Sequence, residues 1–88
     1  ERAQALSLSR GLRAAEAAWA DGVRDAERLR QLVRGPIEAQ PLAAIDYVSL
    51  ADQRTLAEVQ GTVAVPALLS LAVRFGATRL IDNILLAP

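Results

Sequence analysis

The sequence predicts an α+β domain of two layers, with helices packed on one face of a small, about three-stranded antiparallel sheet that ends in a C-terminal β-hairpin. Three observations carry this reading. Apolar residues recur in steps of three and four near the N-terminus, they alternate with other residues toward the C-terminus, and a Gly-X pair at Gly76-Ala77 interrupts the alternation. No internal repeat or long linker divides the 88 residues, so residues 1–88 are read as one domain.

Ala5, Leu8, Leu12, Ala15 and Trp19 fall on one stripe of a helix from Arg2 to Ala20. Gly11 within it costs about 1 kcal/mol relative to alanine, which close packing against a neighbour would justify. Asp21-Gly22 breaks the pattern. Asp25 then suits the N-cap of a second helix, with Asp25 and Glu27 at the positive end of its dipole. Its inward stripe is Ala26, Leu29, Leu32 and Val33. Gly35-Pro36 follows, and because the residue before a proline is pushed out of the α region, this helix is expected to kink or stop at Arg34.

From Ala44 the period changes to two: Asp46, Val48 and Leu50 alternate with Ile45, Tyr47 and Ser49, which predicts a first strand. Asp52 to Val59 is expected to form a short helical turn around Leu56, and Gly61 to open a loop that closes near Pro66. Leu69, Leu71, Val73 and Phe75 then form the core-facing set of a second strand, with Ser70, Ala72 and Arg74 on the wetter side. Gly76-Ala77 has the chemistry of a type II′ turn, and Thr78 to Leu86 returns as the third strand.

Composition narrows the function. Ten arginines balance ten acids, so no net field steers the chain toward nucleic acid or a membrane surface. Histidine, cysteine and lysine are all absent, which removes imidazole and thiolate catalysis, zinc sites and Schiff-base chemistry; no catalytic residue and no metal site is expected in this chain. No apolar run approaches the roughly 18 residues of a membrane span, and a cytoplasmic setting is expected. The chain lacks methionine and begins Glu1-Arg2-Ala3 within a helical pattern, so it reads as a piece of a longer protein.

Most charged residues have a simple reading. Asp21 and Asp25 suit a turn and a cap rather than an acid/base pair. Arg24, Arg28, Arg30 and Arg34 are interleaved with acids and read as a solvated helix face, Trp19 as core, and Asp46 as a hydrogen-bonding residue at a strand edge. The hairpin is different. With Phe75 and Thr78 flanking the turn, Arg74 faces Arg79, Ala72 faces Ile81 and Ser70 faces Asn83. Two like charges side by side either splay into water or meet an anion, so Arg74 and Arg79 are candidates for contact with an acidic group of another domain or a ligand; a partner inside the fold would be Asp46 or Asp82. Asp82 falls opposite Leu71 on the core side, where a carboxylate needs donors such as the amides of a loop or helix end. Asp82 and Asn83 are therefore read as structural anchors.

The run "PALLSLAVRFGATRLIDNILL", Pro66 to Leu86, with "DAERLRQLV" from Asp25 and "IDYVSLAD" from Ile45, resembles the C-terminal domain of the pantoate–β-alanine ligase family over nearly the whole chain. "AVRFGATRLIDN" is its most specific part. The resemblance implies a cytoplasmic, homodimeric parent enzyme that uses ATP and Mg2+ to form pantothenate from pantoate and β-alanine through a pantoyl-adenylate, releasing pyrophosphate and AMP. It further implies a larger N-terminal Rossmann-like domain with a His-x-Gly-His signature and a Ser-Arg-Asn segment, neither present here, and the family's dimer contacts are attributed to that domain. This chain would then be its partner and active-site lid, inactive alone and binding no cofactor itself. The alternative is a free-standing interaction module that binds a protein through its sheet face or hairpin arginines.

Overall fold

The computed structural model describes residues 2–64 and 66–87. Helices α1 (Arg2–Ala20) and α2 (Ala26–Glu38) precede strands β1 (Ala43–Asp52), β2 (Ala67–Phe75) and β3 (Thr78–Leu86). The strands form one antiparallel sheet in the order β1-β2-β3, and both helices pack on the same face. Leu8, Leu12, Ala15 and Trp19 of α1, Ala26, Leu29, Val33 and Ile37 of α2, and Leu69, Leu71, Val73 and Phe75 of β2 share one buried core. The α1 stripe starts a turn later than its spacing suggested, because Ala5 is exposed.

Gly11 lies where α1 crosses α2, and a β-carbon on it would come within 2.4 Å of the Val33 carbonyl oxygen. Asp25 caps α2, its Oδ2 accepting from the Arg28 amide at 2.9 Å. The expected stop at Arg34 does not occur: α2 continues through Pro36 to Glu38. Two causes explain it. Gly35 has no β-carbon to meet the proline ring, which removes part of the pre-proline clash, and Ile37, fully buried, holds the last turn on the sheet. Leu32 is only half-buried.

The expected helical turn at Asp52 to Val59 is instead a single tight turn. Asp52 Oδ1 accepts from the amides of Arg54 (2.7 Å) and Thr55 (3.2 Å), and the exposed Leu56 takes a left-handed φ of +63°. The chain then runs back along β1, with Val59 donating to the Leu50 carbonyl at 2.8 Å. At the hairpin, Gly76 adopts φ +63° while Ala77 stays out of the left-handed region, as a type II′ turn requires. Among the described residues, no helix is long and apolar enough to cross a membrane.

Candidate functional site

With both helices on one side, no described residue outside the strands covers the other face of the sheet. A β-bulge decides what it displays. Ile45 pairs with Val73 and Tyr47 with Ala72, so Asp46 is an extra residue without a partner on β2. The regular alternation that would set Asp46 on one face with Val48 and Leu50 is therefore broken. Val48 and Leu50 are buried, whereas Asp46 and Tyr47 both look outward.

That displacement resolves the like-charge problem at the hairpin. Arg74 and Arg79 are paired across β2 and β3, and Asp46 Oδ2 accepts from the Nε of Arg79 at 2.9 Å and of Arg74 at 3.2 Å. The carboxylate that the arginines need thus comes from within the fold. Arg79's hydrogen bond above all, then Arg74's and the charge of both, hold the Asp46 carboxyl below its ordinary range against partial desolvation. One carboxylate cannot neutralise two guanidiniums, so the cluster keeps a net charge of about +1 with both arginine side chains about half in water.

Beside it, the register sets Tyr47, Ala72 and Ile81 in one row, Ser49, Ser70 and Asn83 in the next, and Ala51, Leu68 and Leu85 in the last. Tyr47, Ile81 and Leu85 are 40%, 60% and 45% exposed. Ala72, flanked by Tyr47 and Ile81, is buried although it lies on this face. This face of the sheet thus carries apolar rows that end in a cationic cluster.

The remaining sequence-derived residues fall elsewhere. Asp82 is paired with Leu71 as expected but is exposed, and its Oδ1 accepts from the next amide, Asn83 N, at 2.8 Å rather than from a loop or helix end. The arginines from Arg24 to Arg34 are not a uniformly solvated face. Arg24 stacks on Trp19, 3.6 Å from the ring centroid, and donates to the Trp19 carbonyl at 2.7 Å. The Trp19 side chain is core, its Nε1 donating to the Ala87 carbonyl at 3.1 Å.

Sequence reasoning missed Glu58. Its Oε2 accepts from Arg30 Nη2 at 2.7 Å and from the Leu50 amide at 2.9 Å, and its Oε1 accepts from Ser49 Oγ at 2.6 Å. Arg30 also donates to the Val59 carbonyl. Partial desolvation pushes the Glu58 carboxyl up, but the Ser49, Leu50 and Arg30 donors together outweigh it and leave it below its usual value. Arg30 and Glu58 are far apart in sequence, so no local pattern could have paired them.

Among the described residues no group of three or more acidic, histidine or cysteine side chains could hold a metal ion.

Comparison with known proteins gives a consistent result. The profile of the family described as Pantoate-beta-alanine ligase matches residues 1–85. The chain is 49% identical over 86 residues to the pantothenate synthetase of Herpetosiphon aurantiacus, covering 98% of this chain and 31% of that protein. It is 52% identical over 83 residues to that of Heliobacterium modesticaldum, covering 94% and 29%. The crystal structure of pantothenate synthetase from Thermus thermophilus superposes with a TM-score of 0.79 at 30% identity, over 93% of this chain and 29% of that one. The chain therefore spans about three-tenths of the length of the relatives it matches.

Proposed function

The chain belongs to the pantoate–β-alanine ligase family, and from that premise we propose that it is the C-terminal domain of a cytoplasmic enzyme making pantothenate, in which it closes as a lid over a site carried by a larger N-terminal domain. In the parent reaction a pantoate carboxylate oxygen attacks the α-phosphorus of ATP and pyrophosphate leaves. The β-alanine amine then attacks the acyl carbon, loses a proton, and AMP leaves. This chain contributes neither base nor nucleophile to those steps. Its contribution is exclusion of water from the labile acyl-adenylate and orientation of the surface that closes on it.

One observation supports this reading above the others. The sheet face opposite the helices is uncovered, and it combines exposed Tyr47, Ile81 and Leu85 with the Asp46–Arg74–Arg79 cluster, whose excess positive charge has no further partner among the described residues. That face meets the larger domain, with the arginines against an acidic group there, while dimer contacts belong to the larger domain itself.

The test compares the 88-residue chain with a parent enzyme that carries it. The chain alone should release no pyrophosphate from pantoate and ATP, and the parent should. In the parent, Arg79→Ala should lower kcat/KM at least ~10-fold through kcat, because closure rather than ground-state binding is impaired. Turnover by the chain alone, or an Arg79→Ala parent with unchanged kcat and KM, would overturn the proposal.

A further inference from the structure

The sheet has two edges, and they are finished differently. Along β1 the outward amide of Leu50 donates to Glu58, its carbonyl accepts from Val59 at 2.8 Å, and the Asp52 amide donates to the Ala57 carbonyl at 2.8 Å. The returning segment covers the 50–52 end of that edge. β3 is the other outermost strand and has no such cover among the described residues.

Its register tells which groups are left open. Phe75 and Thr78 flank the two-residue turn and form a hydrogen-bonded pair, so every second pair after it is hydrogen-bonded as well: Val73 with Leu80, Leu71 with Asp82, Leu69 with Ile84. The amides and carbonyls of Arg79, Ile81, Asn83 and Leu85 therefore point away from the sheet. A nine-residue edge bearing exposed Ile81 and Leu85 is a ready template for another strand. Of its outward amides, one has a partner among the described residues: Asn83 N donates to Asp82 Oδ1 at 2.8 Å. A carboxylate on an outward amide is also what Glu58 provides to Leu50 on the opposite edge.

We propose that Asp82 keeps the β3 edge from pairing with a second copy of this chain. Strand pairing would have to release the Asn83 amide from a charged acceptor and give it a neutral carbonyl instead, an exchange that weakens the bond. Charge adds to this. In a symmetric antiparallel pair of β3 strands centred on Asn83, the register that sets Ile81 of one strand opposite Leu85 of the other, the two Asp82 carboxylates would be diagonal neighbours on one face, where like charges repel. Arg13 and Glu16 of α1 line the cavity of about 340 Å³ beside Asp82, but they carry opposite signs and neither neutralises it in an ion pair among the described residues. The second copy is the natural occupant of an unguarded edge, since Ile81 and Leu85 of each strand would continue the apolar rows across a six-stranded sheet.

Sedimentation of the 88-residue chain tests this, with circular dichroism confirming the fold of each variant. Asp82→Ala should self-associate at least ~10-fold more tightly than the unaltered chain, and Asp82→Asn, which keeps an acceptor oxygen without the charge, should fall between them. Adding Asn83→Pro to Asp82→Ala should restore the original behaviour, because proline removes the outward amide at a position where an edge strand tolerates it. Asp82→Asn carries the test if the alanine variant does not fold. Folded variants that associate no more than the unaltered chain would overturn the proposal. So would a proline variant that still associates, because the contact would then lie on the sheet face.

Discussion

Replacing Gly11 with alanine should force the two helices apart. The new β-carbon would sit 2.4 Å from the Val33 carbonyl oxygen, 3.2 Å from its carbon and 3.3 Å from Cα, whereas ordinary contact begins at 3.4 Å. The helices must therefore separate locally by about 1 Å, and because the obstacle is backbone, no rotamer change relieves it. Overpacking of this kind costs about 1–3 kcal/mol, with the upper part of the range expected here. Alanine returns about 1 kcal/mol of helix propensity. The net loss should be about 1–2 kcal/mol, a fall of roughly 4–16 °C in Tm for a domain of this size. Thermal melts followed by circular dichroism measure it, and Ala17→Gly on the exposed side of α1 supplies the propensity difference alone. A Gly11→Ala chain that melts at or above the original temperature would refute the close crossing of α1 and α2.

Leu71, fully buried at the centre of β2, should lose about 2–5 kcal/mol in urea melts on Leu71→Ala, and a loss near zero would mean the core face is misassigned. Pro36→Ala restores an amide that can donate to the Leu32 carbonyl and should raise stability by about 1–3 kcal/mol; a loss would show that the ring itself packs productively. Asp46→Ala should lower the urea midpoint more than Arg79→Ala does, and its effect should shrink in an Arg79→Ala background, since one arginine alone has no like charge to offset; additive effects would rule out the shared carboxylate. Asp46 and Glu58 both titrate in the fold below their ordinary values of 3.8 and 4.5, so the unfolded chain binds more protons as the medium turns acid. Their contribution is complete above those values and is lost as pH falls through the lower folded ones. The urea midpoint should therefore drop below about pH 5, less steeply in Glu58→Gln, and an identical slope in that variant would exclude Glu58.

What the sequence disclosed follows from the range of the forces involved. The limits of α1, the Asp25 cap, the turn at Gly76 and the pairing of Arg74 with Arg79 all depend on residues within a few positions of one another, and periodicity records them. The bulge at Asp46 was not legible, because an extra residue on one strand is visible only against the partner strand. Pro36 within α2 was misread for a related reason: a local rule against helix is outweighed by burial of Ile37 in a core that the local rule does not contain. The uncovered face could be expected from the number of helices, and its arginines from the hairpin register. Their carboxylate could not be chosen between Asp46 and Asp82 until the bulge had turned one of them outward. Glu58 and Arg30 meet across the β1 edge and carried no signal in the chain.

The bulge also has a consequence for how such a sheet can vary. A residue inserted into β1 without a counterpart on β2 takes no part in the register, so the core-facing sets on either side of it are fixed whatever side chain it bears. Asp46 is such a residue, and it sets the charge of the hairpin cluster. Exchanging it for asparagine, serine or lysine would shift that cluster by one or two charge units without moving any buried side chain from one face to the other. The adhesive character of the surface can thus drift independently of the fold, through substitutions at a single codon.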